Sequence, residues 1–300
     1  MQELLTALAT FAPTRVRINE PMSRHTTFRV GGPADLMFFP KSLDELMRAM
    51  AAAREHNTDV LVIGNGSNLL VRDGGVRGLV IILGEDMAKI GVRGTHIWAL
   101  AGAMLSRVSA AAQAAGLAGL EFASGIPGTL GGGCAMNAGA YGGQLSDVLV
   151  RADVLMDGQK RRLSNADMQM SYRSTLPLRT GGIVVSAEFA LNKDDPEAIL
   201  ARMKDLNARR REKQPLNLPS AGSTFKRPEG HFAGALIEGC NLKGTRVGGA
   251  QVSEKHAGFI VNTGKASARD ILDLIDLVRQ RVLEETGVTL EPEVRIVGED

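Results

Sequence analysis

Cysteine and aromatic residues are scarce in this chain, and the scarcity of cysteine excludes several kinds of site. The two cysteines, Cys134 and Cys240, lack CxxC spacing and are too few to hold a metal cluster by themselves. The five histidines show no metal-ligand spacing either. We therefore predict that the protein binds no metal and that both thiols are buried in a reducing compartment.

Long apolar runs and an excess of charge are also absent. No stretch approaches the ~20 apolar residues that cross a bilayer, and Met1-Gln2-Glu3-Leu4-Leu5 is too acidic and too short in apolar length for a signal peptide. The net charge of +2 gives no bulk attraction to nucleic acid. With 44% hydrophobic and 23% charged residues, the 300-residue chain is expected to be globular and cytoplasmic, with no nucleic-acid or membrane partner.

Glycine, by contrast, is abundant and concentrated in two loops. The first, Gly64-Asn65-Gly66-Ser67-Asn68, follows the apolar run Val60-Leu61-Val62-Ile63, which predicts a buried strand. The second, Gly125-Ile126-Pro127-Gly128-Thr129-Leu130-Gly131-Gly132-Gly133, leads into Asn137-Ala138-Gly139-Ala140-Tyr141-Gly142-Gly143. Glycine lets a backbone approach a ligand and turn its amides inward, so such loops can cradle phosphates. Two of them indicate a large dinucleotide held between two lobes.

Neither of the common nucleotide motifs fits these loops. The first loop has only the first two glycines of GxGxxG, because Leu69 stands at the third position, and no helical pattern follows directly. A P-loop also fails, since the spacing from Gly258 to Gly264-Lys265 is one residue too long and Ala266 replaces the magnesium-binding Ser or Thr. The phosphate chemistry therefore belongs to another fold.

The predicted elements divide the chain into two lobes and a third domain. We place the first lobe at 1–85, the second at 86–194 and the third domain at 195–300, where the composition changes around Pro196. Mixed strands and helices make these parts α+β. Strands are predicted at 36–39, 60–63, 79–83, 96–100, 148–155, 161–163 and 183–189.

Capping and turn residues set the bounds of the predicted helices and of one hairpin. Ser42-Leu43-Asp44-Glu45 is a capping box that begins a helix, and Gly116 ends the next helix along the chain. Asp157-Gly158, between two strand-like segments, predicts a hairpin turn. A basic helix is predicted to end at Lys213, and apolar residues at helical spacing predict an amphipathic helix over 267–286.

Six blocks of the sequence stand out along nearly the whole chain. They are Gly64-Asn65-Gly66-Ser67-Asn68-Leu69-Leu70, Gly125-Ile126-Pro127-Gly128, Asn137-Ala138-Gly139-Ala140-Tyr141-Gly142, Ser171-Tyr172-Arg173, Ala221-Gly222-Ser223-Thr224-Phe225-Lys226 and Pro292-Glu293-Val294-Arg295. Together they resemble the family of UDP-N-acetylenolpyruvoylglucosamine reductases (MurB). The resemblance runs from 26 to 298, and the blocks stand in the family's order. The short spacing between Arg173 and Ser223 leaves little room for an inserted substrate loop and is similar to the shorter subtype of the family.

The resemblance implies an α+β fold with a two-lobed FAD-binding domain of the PCMH type and a C-terminal α+β substrate-binding domain. The first glycine loop would wrap the FAD pyrophosphate, and the second would approach the flavin. Some related oxidases attach FAD through a histidine in the first loop, and none stands here, so FAD is expected to bind noncovalently. The implied cofactor-binding residues are Gly64, Asn65, Gly66, Ser67, Asn68, Gly125, Ile126, Pro127, Gly128, Thr129, Asn137, Gly139, Ala140, Tyr141 and Gly142.

The reaction implied by the resemblance belongs to peptidoglycan precursor synthesis. It reduces the enolpyruvyl ether of UDP-N-acetyl-3-O-(1-carboxyvinyl)-glucosamine to UDP-N-acetylmuramate, with NADPH as the hydride donor and FAD as the relay. Delivery of hydride to the terminal carbon places negative charge on the adjacent carbon and its carboxylate. Such charge requires a preorganised cation or donor, and then a proton.

Three residues are implied as catalytic. Arg173 would grip the carboxylate in two-point fashion, Ser223 would give the proton, and Glu293 would stabilise the enolate by a hydrogen bond, directly or through water. Each also has a plain structural interpretation: a surface arginine, a turn residue after Gly222, and an exposed carboxylate paired with Arg295. Only the motifs favour the catalytic roles.

The resemblance also implies a set of substrate-binding residues. Lys213 would lie near the nucleotide phosphates, whereas Arg209-Arg210-Arg211 beside it is expected to be a solvated helix face. Arg227 stands where many relatives have asparagine, so we assign it no contact. Relatives lead us to expect a monomer. The substrate-binding residues are Tyr172, Lys213, Lys226, Gln251 and Asn262.

Two other functions fit parts of the sequence. A flavin oxidase of the same superfamily, acting on an alcohol or hydroxy acid, would explain the glycine loops but not the trio Arg173, Ser223 and Glu293. A non-catalytic nucleotide-binding or RNA-associated module would use the basic helix around Arg209, and its RNA binding would depend strongly on salt. A single run of charge is usually a solvated helix face. The reductase prediction therefore explains more of the motifs than either alternative.

Overall fold

Helices and strands are interspersed along the whole chain. The computed structural model describes all residues from Met1 to Asp300. The helices are α1 (Gln2–Phe11), α2 (Leu43–Glu55), α3 (Leu105–Ala114), α4 (Leu130–Ala135), α5 (Leu176–Thr180), α6 (Pro196–Lys213), α7 (Ala233–Gly239) and α8 (Ala268–Thr286). None of them is both long and apolar enough to span a bilayer.

Eighteen strands accompany these helices, and most are short. They are β1 (Val16–Pro21), β2 (Pro33–Phe38), β3 (Val60–Ile63), β4 (Leu69–Val71), β5 (Val76–Ile82), β6 (Ile90–Arg93), β7 (His96–Leu100), β8 (Leu117–Ala118), β9 (Gly139–Ala140), β10 (Gly143–Gln144), β11 (Leu149–Met156), β12 (Gln159–Ser164), β13 (Ile183–Ala190), β14 (Asn192–Lys193), β15 (Arg246–Val247), β16 (Ala250–Val252), β17 (Ile260–Asn262) and β18 (Arg295–Val297). The sheet orders are β1-β2-β5-β3, β12-β11-β13-β7-β6 and β15-β16-β17, with the separate pairs β9-β10, β8-β14 and β4-β18.

Turn and capping residues confirm several sequence predictions. Asp157 and Gly158 have φ values of +52° and +74°, as a tight hairpin between β11 and β12 requires. Gly116, with φ +67°, follows the end of α3. The side chain of Ser267 accepts a hydrogen bond from the Asp270 amide and begins α8 with a complete capping box.

The predicted capping box at the start of α2 forms only in part. Ser42 Oγ accepts a hydrogen bond from the Glu45 amide at 3.2 Å, as predicted. The carboxylate of Glu45 does not return to the Ser42 amide, because it accepts from the Lys41 amide at 2.8 Å and pairs with Arg15 at 2.7 Å. The reciprocal half of the prediction is wrong, since the Arg15 guanidinium and the Lys41 amide hold this carboxylate away from the Ser42 amide.

The chain divides into two compact units, and the first is built on the five-stranded sheet. Unit 1 comprises Met1–Arg17, Met37–Asn65 and Gly78–Arg210. The neighbouring strands of its large sheet are antiparallel, whereas β3 and β5 pair in parallel with Val60 opposite Leu79. Its core lies between this large sheet and the helices α3 and α4, and its largest members include Phe122, Phe189, Leu105, Leu130 and Met168.

The second unit is built on the three-stranded sheet and α8. Unit 2 comprises Ile18–Leu36, Gly66–Arg77 and Arg211–Asp300. One face of α8 is buried against the sheet, and its residues Ile271, Leu274 and Val278 share a core with Val252 and Ile260. This confirms the amphipathic helix predicted for 267–286.

Unit 2 collects residues that are far apart in sequence. Strand β18 pairs in parallel with β4, so that Arg295 lies opposite Leu69. The carboxylate of Asp73 accepts hydrogen bonds from the amides of Ala268 and Arg269, at 2.9 and 3.0 Å, at the beginning of α8. The division into 1–85, 86–194 and 195–300 stays a prediction. It consists of continuous segments, whereas each compact unit contains three separate segments of the chain.

Candidate active site

The first glycine loop begins where β3 ends, and in unit 1 it contacts the second glycine loop. The side-chain Nδ2 of Asn65 donates a hydrogen bond to the carbonyl of Pro127 at 2.7 Å. A Cβ atom placed on Gly64 would lie 2.0 Å from Thr129 Oγ1, so only glycine permits this approach. The two loops that the sequence singles out therefore lie side by side.

The remainder of the first loop belongs to unit 2 and supports Glu293. Gly66 has φ +59°, and a Cβ atom there would lie 2.1 Å from the carbonyl oxygen of His25. The side-chain Nδ2 of Asn68 donates to the Glu293 carbonyl at 3.1 Å, and the Arg295 amide donates to the Asn68 carbonyl at 2.9 Å. Asn68 thus fixes the backbone that carries Glu293, and its predicted cofactor contact stays a prediction.

Backbone hydrogen bonds hold the second glycine loop at the start of α4. The Leu105 amide donates to the Gly128 carbonyl at 3.0 Å, and the Leu130 amide donates to the Ala103 carbonyl at 2.7 Å. Burial raises the pKa of Cys134, within α4, to about 12. This thiol therefore stays protonated at neutral pH and is no nucleophile. No group of three or more His, Cys, Asp or Glu side chains in the chain is placed to hold a metal ion.

Asn137 links the segment after the second loop to the turn that carries Arg173. It is 2% exposed and has φ +45°. Its Nδ2 lies 3.2 Å from Gln144 Oε1, 3.3 Å from Ser146 Oγ and 3.3 Å from the Ser171 carbonyl, while its Oδ1 accepts from the Ser146 amide at 3.0 Å. The amide group is thus occupied by the protein, and its predicted cofactor contact stays a prediction.

Arg173 lies in a tight, strained turn. Ser171 and Ser174 exchange both backbone hydrogen bonds, at 2.9 and 3.2 Å. Arg173 has φ +55°, which is uncommon for a residue with a side chain and persists where the surroundings impose it. Its Cζ lies 5.0 Å from the centroid of the Tyr172 ring, within the range of a cation–π contact. A half-buried cation held in this way suits the binding of a carboxylate.

The short hairpin formed by β9 and β10 presents Tyr141. Ala140 lies opposite Gly143, and the two turn residues Tyr141 and Gly142 have φ values of +53° and +86°. Tyr141 is 43% exposed. A large ring held outward on a tight turn offers a flat apolar surface to a ligand.

Most of the predicted cofactor-binding residues keep some exposed surface. This is the distribution expected of loops that contact a ligand directly. Gly66, Thr129 and Asn137 are buried; Gly64, Ser67, Asn68, Gly125, Ile126, Gly128, Gly139 and Ala140 are half-buried; Asn65, Pro127, Tyr141 and Gly142 are exposed.

Ser223 and Glu293 lie on neighbouring backbone segments of unit 2. The Glu293 amide donates to the Thr224 carbonyl at 2.8 Å, and the Lys226 amide donates to the Glu291 carbonyl at 2.8 Å. The two segments therefore run antiparallel side by side, with an isolated bridge between Phe225 and Pro292. Ser223 is exposed and Glu293 is half-buried on these neighbouring segments.

Thr224 explains why Ser223 faces outward. Thr224 is 1% exposed, and its Oγ1 accepts a hydrogen bond from the Ile260 amide at 3.0 Å. Successive side chains of an extended segment point to opposite faces, so the anchoring of Thr224 turns Ser223 away from the core. Nearby, His256 Nδ1 accepts from the Gly258 amide at 3.1 Å, and burial lowers the pKa of its imidazole.

The segment after Ser223 carries two cations with partners. Lys226 Nζ pairs with Glu291 at 3.1 Å, across the same two backbone segments. The Arg227 Cζ lies 4.0 Å from the centroid of the Phe232 ring, and Phe232 is 62% exposed. Stacking of its guanidinium on this ring gives Arg227 a contact within its own loop.

Asn262 makes hydrogen bonds that belong to the fold. It is 4% exposed, and its Nδ2 donates to the Phe28 carbonyl at 3.0 Å. Its Oδ1 accepts from the amides of Gly264 and Ala266, at 2.8 and 3.1 Å. These bonds occupy most of the capacity of a side-chain amide. The predicted substrate contact of Asn262 stays a prediction.

Gln251 lines a cavity of about 680 Å³ in unit 2. Its Oε1 accepts from Arg246 at 3.3 Å, and its Nε2 lies 3.3 Å from Glu254 Oε1. Lys255 donates to the carbonyl of Arg211 at 2.6 Å. The wall thus carries the cations Arg211, Arg246 and Lys255 against the one carboxylate of Glu254, which favours an anionic ligand. Lys213, the last residue of α6, is exposed.

Sequence reasoning missed two residues of α6 that contact the second glycine loop. Arg210 Nη1 donates to the Gly125 carbonyl at 2.7 Å, and Asn207 Nδ2 donates to Ser124 Oγ at 3.1 Å. The prediction that Arg209-Arg210-Arg211 is a solvated face is therefore wrong for Arg210, which is half-buried. Consecutive helical residues point about 100° apart, so one residue of three can face inward. The three-residue spacing of Asn207 and Arg210 was the available signal.

A solved structure of similar fold and a family model together define the class. The structure of Phl p 4, a grass pollen allergen with glucose dehydrogenase activity, aligns with a TM-score of 0.52 at 17% identity, over 64% of this chain and 44% of that chain. At this identity the likeness concerns the fold alone. A family model described as an FAD binding domain matches residues 34–164. The chain thus has the fold of an FAD-binding α+β protein.

Similarity over the full length gives the family. The family model for the C-terminal domain of UDP-N-acetylenolpyruvoylglucosamine reductase matches residues 214–297. The crystal structure of this reductase (MurB) from Thermus caldophilus aligns with a TM-score of 0.82 at 37% identity, over 94% of this chain and 98% of that chain. The reductase of Alkaliphilus oremlandii is 51% identical over 286 residues, which are 95% of this chain and 94% of the relative. The chain belongs to the UDP-N-acetylenolpyruvoylglucosamine reductase family, which confirms the predicted family and fold class.

Proposed function

We propose that this protein reduces UDP-N-acetyl-3-O-(1-carboxyvinyl)-glucosamine to UDP-N-acetylmuramate, with FAD as its cofactor and NADPH as the hydride donor, in the synthesis of peptidoglycan precursors. The observation that carries the proposal is the 51% identity, over 95% of the chain, to a reductase of this name. The geometry of the loops and of the Ser223 segment supports it.

The two glycine loops fit a bound dinucleotide. A Cβ atom on Gly64 would lie 2.0 Å from Thr129 Oγ1, and one on Gly66 would lie 2.1 Å from the His25 carbonyl oxygen. Glycine at these two positions therefore lets the first loop pack closely against both neighbours. Around Gly142 no atom lies within 4 Å of a built Cβ, which leaves open space beside the exposed Tyr141 ring. The loop Gly64-Asn65-Gly66-Ser67-Asn68 offers no side chain that forms a bond to flavin, so FAD is held noncovalently.

When bound, FAD supplies a two-electron carrier between NADPH and the terminal carbon of the enol ether. Arg173 binds the substrate carboxylate, because a guanidinium offers paired donors to two carboxylate oxygens. Its strained turn holds the charge in place before the reaction, which avoids reorganisation when negative charge develops.

Ser223 gives a proton from its Oγ to the carbon next to the carboxylate. A hydroxyl is a weak acid, but an enolate is basic enough to take its proton. Glu293, on the paired segment, holds the enolate by a hydrogen bond, directly or through water. The backbone hydrogen bond from the Glu293 amide to the Thr224 carbonyl, at 2.8 Å, keeps the two segments in register.

The cationic wall near Gln251 and the exposed Lys213 suit the phosphates of a sugar nucleotide. Three cations face one carboxylate around a cavity of about 680 Å³. Such a wall raises the local concentration of an anion. We assign the diphosphate of the substrate to these residues and propose Tyr172 and Lys226 as further substrate contacts. We expect the protein to act as a monomer in the cytoplasm.

Anaerobic titration of the purified protein tests the proposal. The protein is expected to be yellow, NADPH is expected to bleach the flavin absorbance, and the enolpyruvyl sugar nucleotide is expected to restore it with one equivalent consumed. A colourless protein that FAD cannot reconstitute contradicts the proposal. Rapid oxygen consumption with an alcohol or hydroxy acid, without reaction with the sugar nucleotide, favours a flavin oxidase instead.

A further inference from the structure

Three consecutive arginines near the end of α6 have different surroundings. Arg209 is exposed and pairs with Asp205 one turn earlier, at 2.9 Å. Arg211 is also exposed. Arg210 is half-buried, and burial lowers the pKa of its guanidinium, although arginine stays charged in proteins. A charged group withdrawn from water requires compensating contacts, so its partners identify its role.

The first partner of Arg210 is the start of the second glycine loop. Its Nη1 donates to the Gly125 carbonyl at 2.7 Å, a short charge-assisted hydrogen bond. A Cβ atom on Gly125 would lie 2.4 Å from Asn207 Oδ1 and 2.9 Å from Arg210 Nε. Asn207 also donates to Ser124 Oγ at 3.1 Å. Residues three apart on one helix face therefore clasp the loop at 124–125, and the absence of a side chain at Gly125 leaves room for the side chains of Asn207 and Arg210.

The second partner lies after the loop. The Arg210 Cζ is 5.8 Å from the centroid of the Tyr141 ring, and the neighbouring phenol favours the charged guanidinium. Tyr141 stands at φ +53° on the turn between β9 and β10. The Arg210 side chain thus contacts both Gly125 and Tyr141. These two residues lie near the two ends of the predicted cofactor-binding segment that runs from Gly125 to Gly142.

We propose that Arg210 is a positioning residue that locks the second glycine loop into its FAD-binding conformation by holding Gly125 and Tyr141 together. This rests on the proposed FAD-binding role of the loop. Residues 125–128 belong to no helix or strand, so few regular hydrogen bonds order them. Without Arg210 the loop must be ordered at the moment of binding, which lowers affinity for the cofactor.

The Arg210→Ala variant tests this assignment, and Arg209→Ala is the matched control on the same helix. Release of FAD from the diluted holoenzyme is followed through the fluorescence of free flavin. Arg210→Ala is expected to raise the dissociation constant about tenfold or more, since a charge-assisted hydrogen bond is lost. Arg209→Ala is expected to match the wild type. Arg210→Lys keeps the charge and one donor, so it is expected to recover part of the affinity.

Hydrogen exchange and reduction rates separate positioning from general destabilisation. In Arg210→Ala the amides at 125–130 are expected to exchange faster, while those of β13 stay unchanged. At saturating FAD, the rate at which NADPH bleaches each bound flavin is expected to stay at the wild-type value.

If Arg210→Ala does not fold, Asn207→Ala tests the contact of the same helix face with the loop. Equal FAD release from Arg210→Ala and Arg209→Ala overturns the inference while leaving the reductase proposal intact. A wild-type protein that binds no FAD contradicts the reductase proposal. In that case, faster amide exchange at 125–130 in Arg210→Ala would still show that Arg210 orders this loop.

Discussion

In unit 1, side chains tie the glycine loops to each other and to α6, whereas in unit 2 the segments of Ser223 and Glu293 are joined through their backbones. In unit 1, side chains reach backbone groups of another segment: Asn65 donates to Pro127 and Arg210 donates to Gly125, both at 2.7 Å. In unit 2, the segment of Ser223 and the segment of Glu293 are joined by backbone hydrogen bonds.

This difference separates the consequences of substitution in the two units. A loop without regular pairing depends on particular side chains for its shape, so substitution of a tethering side chain is expected to weaken cofactor binding. A paired backbone keeps its register whatever the outward side chain is. Substitution of Ser223 is therefore expected to remove chemistry and leave structure intact.

The largest expected effect is that of Ser223→Ala. The variant is expected to lose about 10²- to 10⁴-fold in turnover, because the proposed proton donor is removed. NADPH is expected to bleach its flavin at the normal rate, since Ser223 acts only after hydride delivery. The free energy of unfolding is expected to change by less than about 0.5 kcal/mol at this exposed position. Stopped-flow absorbance under nitrogen measures both half-reactions, and full turnover by the variant would remove Ser223 from the proton-donor role.

The next largest effects are expected for two buried threonines, Thr224 in unit 2 and Thr175 in unit 1. Thr224→Val leaves the Ile260 amide without its acceptor, and Thr175→Val removes the donor to the Ala135 carbonyl and the acceptor of the Leu178 amide. Each is expected to lower the free energy of unfolding by about 1 to 3 kcal/mol.

Urea denaturation measures these changes, with the exposed Thr6→Val as the control, expected to stay within about 0.5 kcal/mol of the wild type. Thr224→Val is also expected to lower turnover, because its side chain sets the outward direction of Ser223. A Thr224→Val protein of wild-type stability would show that the backbone pairing alone holds this segment.

A smaller effect is expected for Asn65→Ala. The loss of its hydrogen bond to Pro127 loosens the contact between the two loops, and about 1 kcal/mol corresponds to a dissociation constant for FAD raised about fivefold. Stability should hardly change, since Asn65 is exposed. Flavin fluorescence on dilution measures the constant, and Asn192→Ala, at an exposed position in β14, serves as the control. Identical FAD release from both variants would contradict the tethering role of Asn65.

Local chemistry made much of this molecule predictable from sequence. The turn at Asp157-Gly158, the start of α8 at Ser267 and the end of α6 at Lys213 follow from residues within a few positions, and all three are confirmed. The two glycine loops were also visible, because their composition is unusual and their neighbours are apolar strands. The motifs then identified the family, which the full-length relatives confirm.

Long-range contacts were the part that sequence could not give. Nothing near Asn68 indicates that its amide supports the backbone of Glu293, and nothing near Asp73 indicates that it caps α8. Arg210 was assigned to solvent with its two neighbours, because a charge run has no periodicity of its own. Its three-residue spacing from Asn207 was the one signal in the sequence, and the position of Gly125 in space shows what that helix face contacts.

The smallest expected effect concerns Asp270, in the first turn of α8 in unit 2, and this effect depends on pH. Hydrogen bonds from the backbone amides of Gly249 and Ser267 lower the pKa of this carboxyl. A group with a lowered pKa in the folded state stabilises the fold above its unfolded pKa, and that stabilisation is lost as pH falls through the folded value. Asp270→Asn is therefore expected to cost about 1 kcal/mol or less near neutral pH and almost nothing in acid.

Thermal unfolding of the wild type and of Asp270→Asn between neutral pH and strong acid measures the change. The matched control is Asp273→Asn on the same helix, whose carboxylate pairs with Arg269 at 2.9 Å on an exposed surface and is expected to contribute less. The difference between Asp270→Asn and the wild type should shrink as the carboxyl protonates, because the protonated acid then accepts as weakly as an amide oxygen. A difference that stays constant with pH would mean that shape, and not charge, holds this end of α8 to Gly249.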